Sequence, residues 1–241
     1  RITTRNREEA ENLANIRHIL RERGYHQPLC ADVHFNPAVA EIAARLVEKV
    51  RINPGNYGTG RPLPPEAYTD EICREELENI RKNLRSLLTI CREHGTALRI
   101  GVNHGSLSAR IMALYGDTPE GMAESAMEFI RICRTENFHN LVVSMKASNV
   151  RIMVHATRLV VQKMKTEGSV YPVHLGVTEA GEGEDGRIRS AAGIGTLLAE
   201  GIGDTIRVSL TEDPVEEIPV AQHLVKLTEK WKTVGDTQKL T

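Results

Sequence analysis

The chain has 241 residues, with 31 Lys plus Arg against 32 Asp plus Glu and a formal net charge of −1 at pH 7. That balance argues against nucleic acid or a membrane surface as partner, because either calls for a clear basic excess. With 40% hydrophobic and 26% charged residues, and no apolar run near membrane-spanning length, the composition is that of a globular domain with a sizeable core.

In chain order, Arg1-Ile2-Thr3-Thr4 reads as the tail of a strand, with no initiator Met and no signal-peptide pattern, so the sequence reads as a piece of a longer protein. A helix is predicted over 7–23, where Leu13, Ile16 and Leu20 stand at helical spacing, and a strand over 28–34. Helices over 37–46, 70–94, 119–136, 149–167, 187–200 and 215–232 then alternate with strands over 47–52, 97–102, 140–146, 172–178 and 204–210. Thr118-Pro119 and Asp213-Pro214 mark helix starts. Gly24, Gly95, Gly168, Gly201 and Gly203 stand where helices stop.

Such alternation implies a parallel sheet with right-handed crossovers. It leaves two architectures, an open doubly wound sheet or a (β/α)8 barrel of the TIM type lacking its first one or two strands. The barrel is expected over 1–230, with 231–241 a linker or the start of a further domain. Gly193-Ile194-Gly195 and Gly201-Ile202-Gly203 lie within and after a helix, so they are packing and turn glycines and not a dinucleotide fingerprint. Cys30, Cys73, Cys91 and Cys133 are scattered singly and read as reduced, mostly buried thiols, with no metal ligands expected within the chain.

The chemistry gathers at strand ends. Arg1, Arg51, Arg99, Lys146 and Arg207 each lie at or near the C-terminal end of a strand, where barrel enzymes place their sites. Period-two alternation puts Asn53 beside Arg51, Asn103 beside Arg99, Ser144 beside Lys146 and Ser209 beside Arg207. One lone strand Arg is ordinarily a surface or salt-bridge residue; five in matching places repel one another and call for an anion. Only Glu179 occupies an equivalent strand end, with Asp32 one pleat before His34, which leaves too few inward carboxylates and points to a polyanion such as a diphosphate. His34 is either a phosphate donor or a satisfied core histidine, and the acidic run Glu182-Gly183-Glu184-Asp185-Gly186 reads as a solvated loop.

Arg51-Ile52-Asn53-Pro54-Gly55-Asn56, Arg99-Ile100-Gly101-Val102-Asn103-His104-Gly105-Ser106-Leu107, Ser144-Met145-Lys146-Ala147-Ser148-Asn149, His174-Leu175-Gly176-Val177-Thr178-Glu179-Ala180-Gly181 and the run from Gly201 to Leu210 occur in this order. Together they resemble the 4-hydroxy-3-methylbut-2-enyl diphosphate synthase family over nearly the whole chain. The stretch from Ala180 to Arg187 is similar to its larger, plant- and chlamydia-like branch.

The resemblance implies a (β/α)8 barrel, here lacking its first strand and most of its second, that binds 2-C-methyl-D-erythritol 2,4-cyclodiphosphate for reductive ring opening on the methylerythritol phosphate route to isoprenoids. It places Arg1, His34, Arg51, Arg99, Asn103, Lys146, Arg207 and Ser209 on the diphosphate, and Glu179 near the hydroxyl that leaves as water. It also implies a [4Fe–4S] cluster held by three Cys and a Glu of a C-terminal domain, a ferredoxin- or flavodoxin-type electron donor, a homodimer, and a cytoplasmic location in bacteria or a plastid one in plants. No cluster motif occurs here, so the ligands are expected outside this chain, which alone is expected to bind substrate without reducing it. The residues by themselves also admit a phosphosugar aldolase- or isomerase-like barrel using Lys146 as a Schiff-base nucleophile, or a non-catalytic anion-binding scaffold.

Overall fold

Four short strands, β1 (Ile2–Thr4), β2 (Cys30–Val33), β3 (Lys49–Ile52) and β4 (Ala97–Asn103), pair parallel and in sequential order, followed in the sheet by β5 (Leu141–Lys146). A computed structural model describes residues 1–33, 36–57 and 63–238. The chain forms two compact units, Arg1–Val143 and Ser144–Thr241.

In the first unit, helices α1 (Arg7–Glu22), α2 (Pro37–Ala44), α3 (Asp70–His94), α4 (Ala109–Tyr115) and α5 (Pro119–Thr135) return the chain between strands. Their ends follow local chemistry. Asn6, Asn36, Thr69, Ser108 and Thr118 each accept a backbone N–H of the first turn, and Gly95 ends α3 in the left-handed region at φ 69°. One face of the strands buries Ala31, Val50, Ile52, Leu98, Ile100 and Val102 as the core. These apolar residues alternate with Asp32, Arg51 and Arg99, so the opposite face carries buried charge.

Helix α4 escapes the sequence pattern because it is two turns long, with Met112, Leu114 and Tyr115 exposed. Its anchor is polar: Arg110, 2% exposed, forms two 2.7 Å bonds to Glu128 of α5. Such a pair costs desolvation to assemble and is disruptive to break on one side only.

In the second unit, α6 (Val150–Thr166) buries Met153, Ala156, Val160 and Met164 along one stripe. Strands β6 (His174–Leu175) and β7 (Thr205–Ile206) pair parallel but span two residues each, shorter than the predicted 172–178 and 204–210. The expected helix over 187–200 begins earlier and is three joined pieces: α7 (Gly183–Ser190), a π-turn over Ala191–Gly195, and α8 (Thr196–Ala199). The acidic run expected to be a loop therefore supplies the first turn of α7, where Glu184 and Asp185 complement the helix dipole. Within the π-turn a Cβ on Gly193 would lie 2.7 Å from side-chain atoms of both Met153 and Val177, which is why glycine stands there. The last helix, α9, runs over Pro214–Gln238. Among the described residues no helix is long and apolar enough to cross a membrane.

The turn after β3 meets the loop after β4 at one tight point, where a Cβ on Gly55 would fall 2.0 Å from the Ser106 carbonyl oxygen. Gly55→Ala is expected to destabilise the fold by about 1–3 kcal/mol, the range of core overpacking. Urea denaturation of the two proteins measures the difference.

Candidate functional site

The register of the first unit brings Thr3, Asp32, Arg51 and Arg99 into one row across adjacent strands. Asp32, 1% exposed, accepts Arg1 at 2.9 Å and Arg51 at 3.1 Å. Arg51 also donates through Nη2 to the Gly101 carbonyl at 2.8 Å, and its side chain lies across Gly101, where a Cβ would come within 2.4 Å of Nε. Gly101 is glycine because Arg51 occupies that space.

Asp32 neutralises part of the charge from within the sheet. The spacing of the motifs drew attention to strand ends, and Asp32 lies a residue inside its strand. Three guanidinium groups still face one carboxylate. Charges about 5 Å apart at an effective dielectric near 20 repel by roughly 3 kcal/mol.

Arg99 bears the consequence. It is 3% exposed, and its Nε is buried with no hydrogen-bond partner among the described residues. Burial, reinforced by Arg51 and Arg1, lowers its pKa to about 10, although Cys30 and Asp32 pull the other way. Arg51 is lowered too, by burial first, with Asp32 opposing. Both remain protonated at neutral pH, in a setting that favours a further anion.

Beside this row, Asn53 caps the following 3-10 turn, accepting from the Gly55 N–H at 3.2 Å and donating to Ser106 Oγ at 2.8 Å. Asn103 ends β4 with its Oδ1 buried and unpartnered among the described residues. The structure therefore brings Arg1, Arg51 and Arg99 together, with Asn103 farther along the same strand as Arg99. His34 lies outside the described residues.

The second unit holds the remaining candidates. Lys146 ends β5 at 8% exposure. A Cβ on Gly176 would fall 3.4 Å from Lys146 Cε and 3.0 Å from the Arg207 carbonyl oxygen, so the bare backbone of Gly176 lies between these two segments. Arg207 follows β7 immediately and Ser209 comes two residues later, neither lying within the strand, and the Arg207 N–H closes the β6–β7 ladder on Leu175 O at 2.9 Å. Glu179 lies beyond β6 and has φ 52°, the left-handed region that a side chain with a Cβ enters at a cost. Backbone held this way recurs at functional sites.

Sequence reasoning missed Arg187 and Glu212. Their two bonds, 2.6 and 2.9 Å, join α7 to the segment after β7. That ion pair, together with the Gly183 N–H, draws the Glu212 pKa down to about 2. The two residues stand 25 positions apart, and no spacing rule connects them.

The cysteines do not fit an iron–sulfur cluster. Cys30, Cys91 and Cys133 are buried, and burial pushes the thiols of Cys91 and Cys133 up to about 12, which disfavours the thiolate a cluster needs. Among the described residues no group of three or more His, Cys, Asp or Glu is placed to hold a metal ion.

A family model described as the GcpE TIM-barrel domain matches residues 1–222. That description selects the (β/α)8 architecture over the doubly wound sheet, both of which the strand–helix order allowed. The chain is 62% identical over 226 residues to the 4-hydroxy-3-methylbut-2-en-1-yl diphosphate synthase (flavodoxin) of Phocaeicola vulgatus, covering 93% of this chain and 37% of that protein. It is 54% identical over 228 residues to the chloroplastic 4-hydroxy-3-methylbut-2-en-1-yl diphosphate synthase (ferredoxin) of Oryza sativa subsp. japonica, covering 94% of this chain and 31% of that protein. A third relative, the flavodoxin-type synthase of Chlorobaculum tepidum, is 52% identical over 227 residues, covering 94% and 30% respectively. The chain spans about a third of the length of these curated relatives. With a match over most of its residues, the chain belongs to the GcpE TIM-barrel family.

Proposed function

We propose that this chain is the substrate-binding barrel of a 4-hydroxy-3-methylbut-2-en-1-yl diphosphate synthase, holding 2-C-methyl-D-erythritol 2,4-cyclodiphosphate for reductive ring opening to 4-hydroxy-3-methylbut-2-enyl diphosphate. The observation that carries the reading is the buried cation row, in which Arg1, Arg51 and Arg99 share one carboxylate and Arg99 keeps a buried N–H without a partner among the described residues. A diphosphate supplies the missing negative charge and acceptors for fork-shaped donors.

The proposed binding residues are Arg1, Arg51, Arg99 and Asn103 of the first unit and Lys146, Arg207 and Ser209 of the second. His34 is proposed from its motif alone. Their task is to hold the phosphates and to stabilise negative charge on the phosphate oxygen that departs as the ring opens. Glu179, held in its left-handed turn, is proposed to give a proton to the hydroxyl that leaves as water.

Ring opening with loss of that hydroxyl consumes two electrons. In the family reading a [4Fe–4S] cluster with ligands outside this chain would supply them, with a ferredoxin or flavodoxin as donor. The buried thiols here do not suit that role, and the chain's own part is binding, orientation and proton delivery. A homodimer and a bacterial cytoplasmic or plastid location belong to the same proposal.

Each charge-assisted contact contributes about 1.5–3 kcal/mol. Arg99→Ala and Arg207→Ala are therefore expected to weaken diphosphate binding about tenfold or more, read by calorimetry with the cyclic substrate and with inorganic diphosphate. Wild-type affinity in both variants overturns the assignment.

Glu179→Gln is expected to leave substrate affinity within a few-fold while lowering turnover of the complete, cluster-loaded enzyme by about 10²-fold, as for loss of a proton donor. If turnover survives, Glu179 is a structural member of the site.

A further inference from the structure

The ladder between β6 and β7 ends where the Arg207 N–H meets Leu175 O, and Glu179 lies beyond it in a left-handed turn. What holds that turn lies on the far side. Arg187 Nη1 and Nη2 donate to Glu212 Oε1 and Oε2 at 2.6 and 2.9 Å. Glu212 Oε1 also accepts the Gly183 N–H at 2.8 Å, and Arg187 Nη1 donates to the Gly183 carbonyl at 2.7 Å. One ion pair thus grips both backbone groups of a single residue, four positions after Glu179.

The neighbouring backbone continues the join. The Thr211 N–H donates to Gly181 O at 3.0 Å, and the Leu210 N–H donates to Glu217 Oε1 at 3.1 Å. Leu210, Thr211 and Glu212 are each fixed in succession. The fit is close at Gly186, where a Cβ would fall 2.6 Å from Gly181 O and 2.8 Å from Leu210 Cδ2.

We infer that Arg187 and Glu212 are positioning residues, a latch that fastens the Glu179 loop to the segment after β7. Arg207 is set by its own ladder bond, so the latch governs the acid and not the phosphate-binding cation. This rests on the function proposed above, in which Glu179 delivers the proton. A half-exposed ion pair adds little to global stability, whereas a small misplacement of a reacting group lowers turnover steeply.

The test uses Arg187→Ala, Glu212→Ala and the exchange Arg187→Glu/Glu212→Arg in the complete, cluster-loaded enzyme. Each single variant is expected to lower kcat about tenfold, with melting temperature within about 2 °C of wild type and inorganic-diphosphate affinity within threefold. The exchange is expected to recover at least threefold of that loss. Single variants with kcat within twofold of wild type overturn the latch, and so does a kcat loss that follows a matching fall in melting temperature. Glu179→Gln run alongside separates the two levels: if it keeps full turnover the underlying reading fails, and if it alone loses turnover only the latch fails.

Discussion

Parallel strands lie about 4.8 Å apart, and here that spacing stacks Asp32, Arg51 and Arg99 at one level of the sheet. Two guanidinium groups on adjacent strands cannot be moved apart without slipping the register, which would turn the apolar residues of β3 and β4 out of the core. The hydrophobic pattern therefore holds the charges where they repel. Asp32 relieves Arg51 directly and Arg1 from the other side, and Arg51 bends across the bare backbone of Gly101 to reach a carbonyl. Arg99 receives less relief, with one buried N–H left over among the described residues. The remaining positive charge is a consequence of packing that the fold can turn to anion binding.

Much of this was visible in the residues. Alternation of Val50, Ile52, Ile100 and Val102 with Arg51, Arg99 and Gly101 reads as strands with one apolar and one polar face. Helix α3 was legible to the residue over 70–94, because Thr69 caps one end and Gly95 closes the other. Signals failed where tertiary contacts decide. Helix α4 is held by the buried Arg110–Glu128 pair, which has no periodic signature. The segment 183–186 forms a helical turn, despite two glycines and two acidic residues, with Gly183 gripped by Glu212 from beyond β7 and by Arg187 of the same helix. Strands β6 and β7 are shorter than their apolar runs, two residues each.

The candidate site shows the same division. Each cation could be picked out by its position at a strand end, but Asp32 could not be weighted correctly without the register that puts it beside Arg51. A carboxylate one residue inside a strand reads as one more polar residue; paired across the ladder, it sets the net charge of the row.

Conformation and chemistry meet most closely at Glu179. A non-glycine residue at φ 52° is held there by its surroundings, since relaxing to the ordinary helical or extended basins would release strain of about 1–3 kcal/mol. A glycine at this point would adopt the turn freely but would carry no acid. The surroundings that enforce it include the Thr178 N–H bound to Ala147 O at 3.1 Å on one side and the Gly181 carbonyl bound by the Thr211 N–H on the other. Backbone bonds thus hold both flanks of Glu179. The cost of that conformation falls in the loop after β6, outside the strand row that carries Arg51 and Arg99.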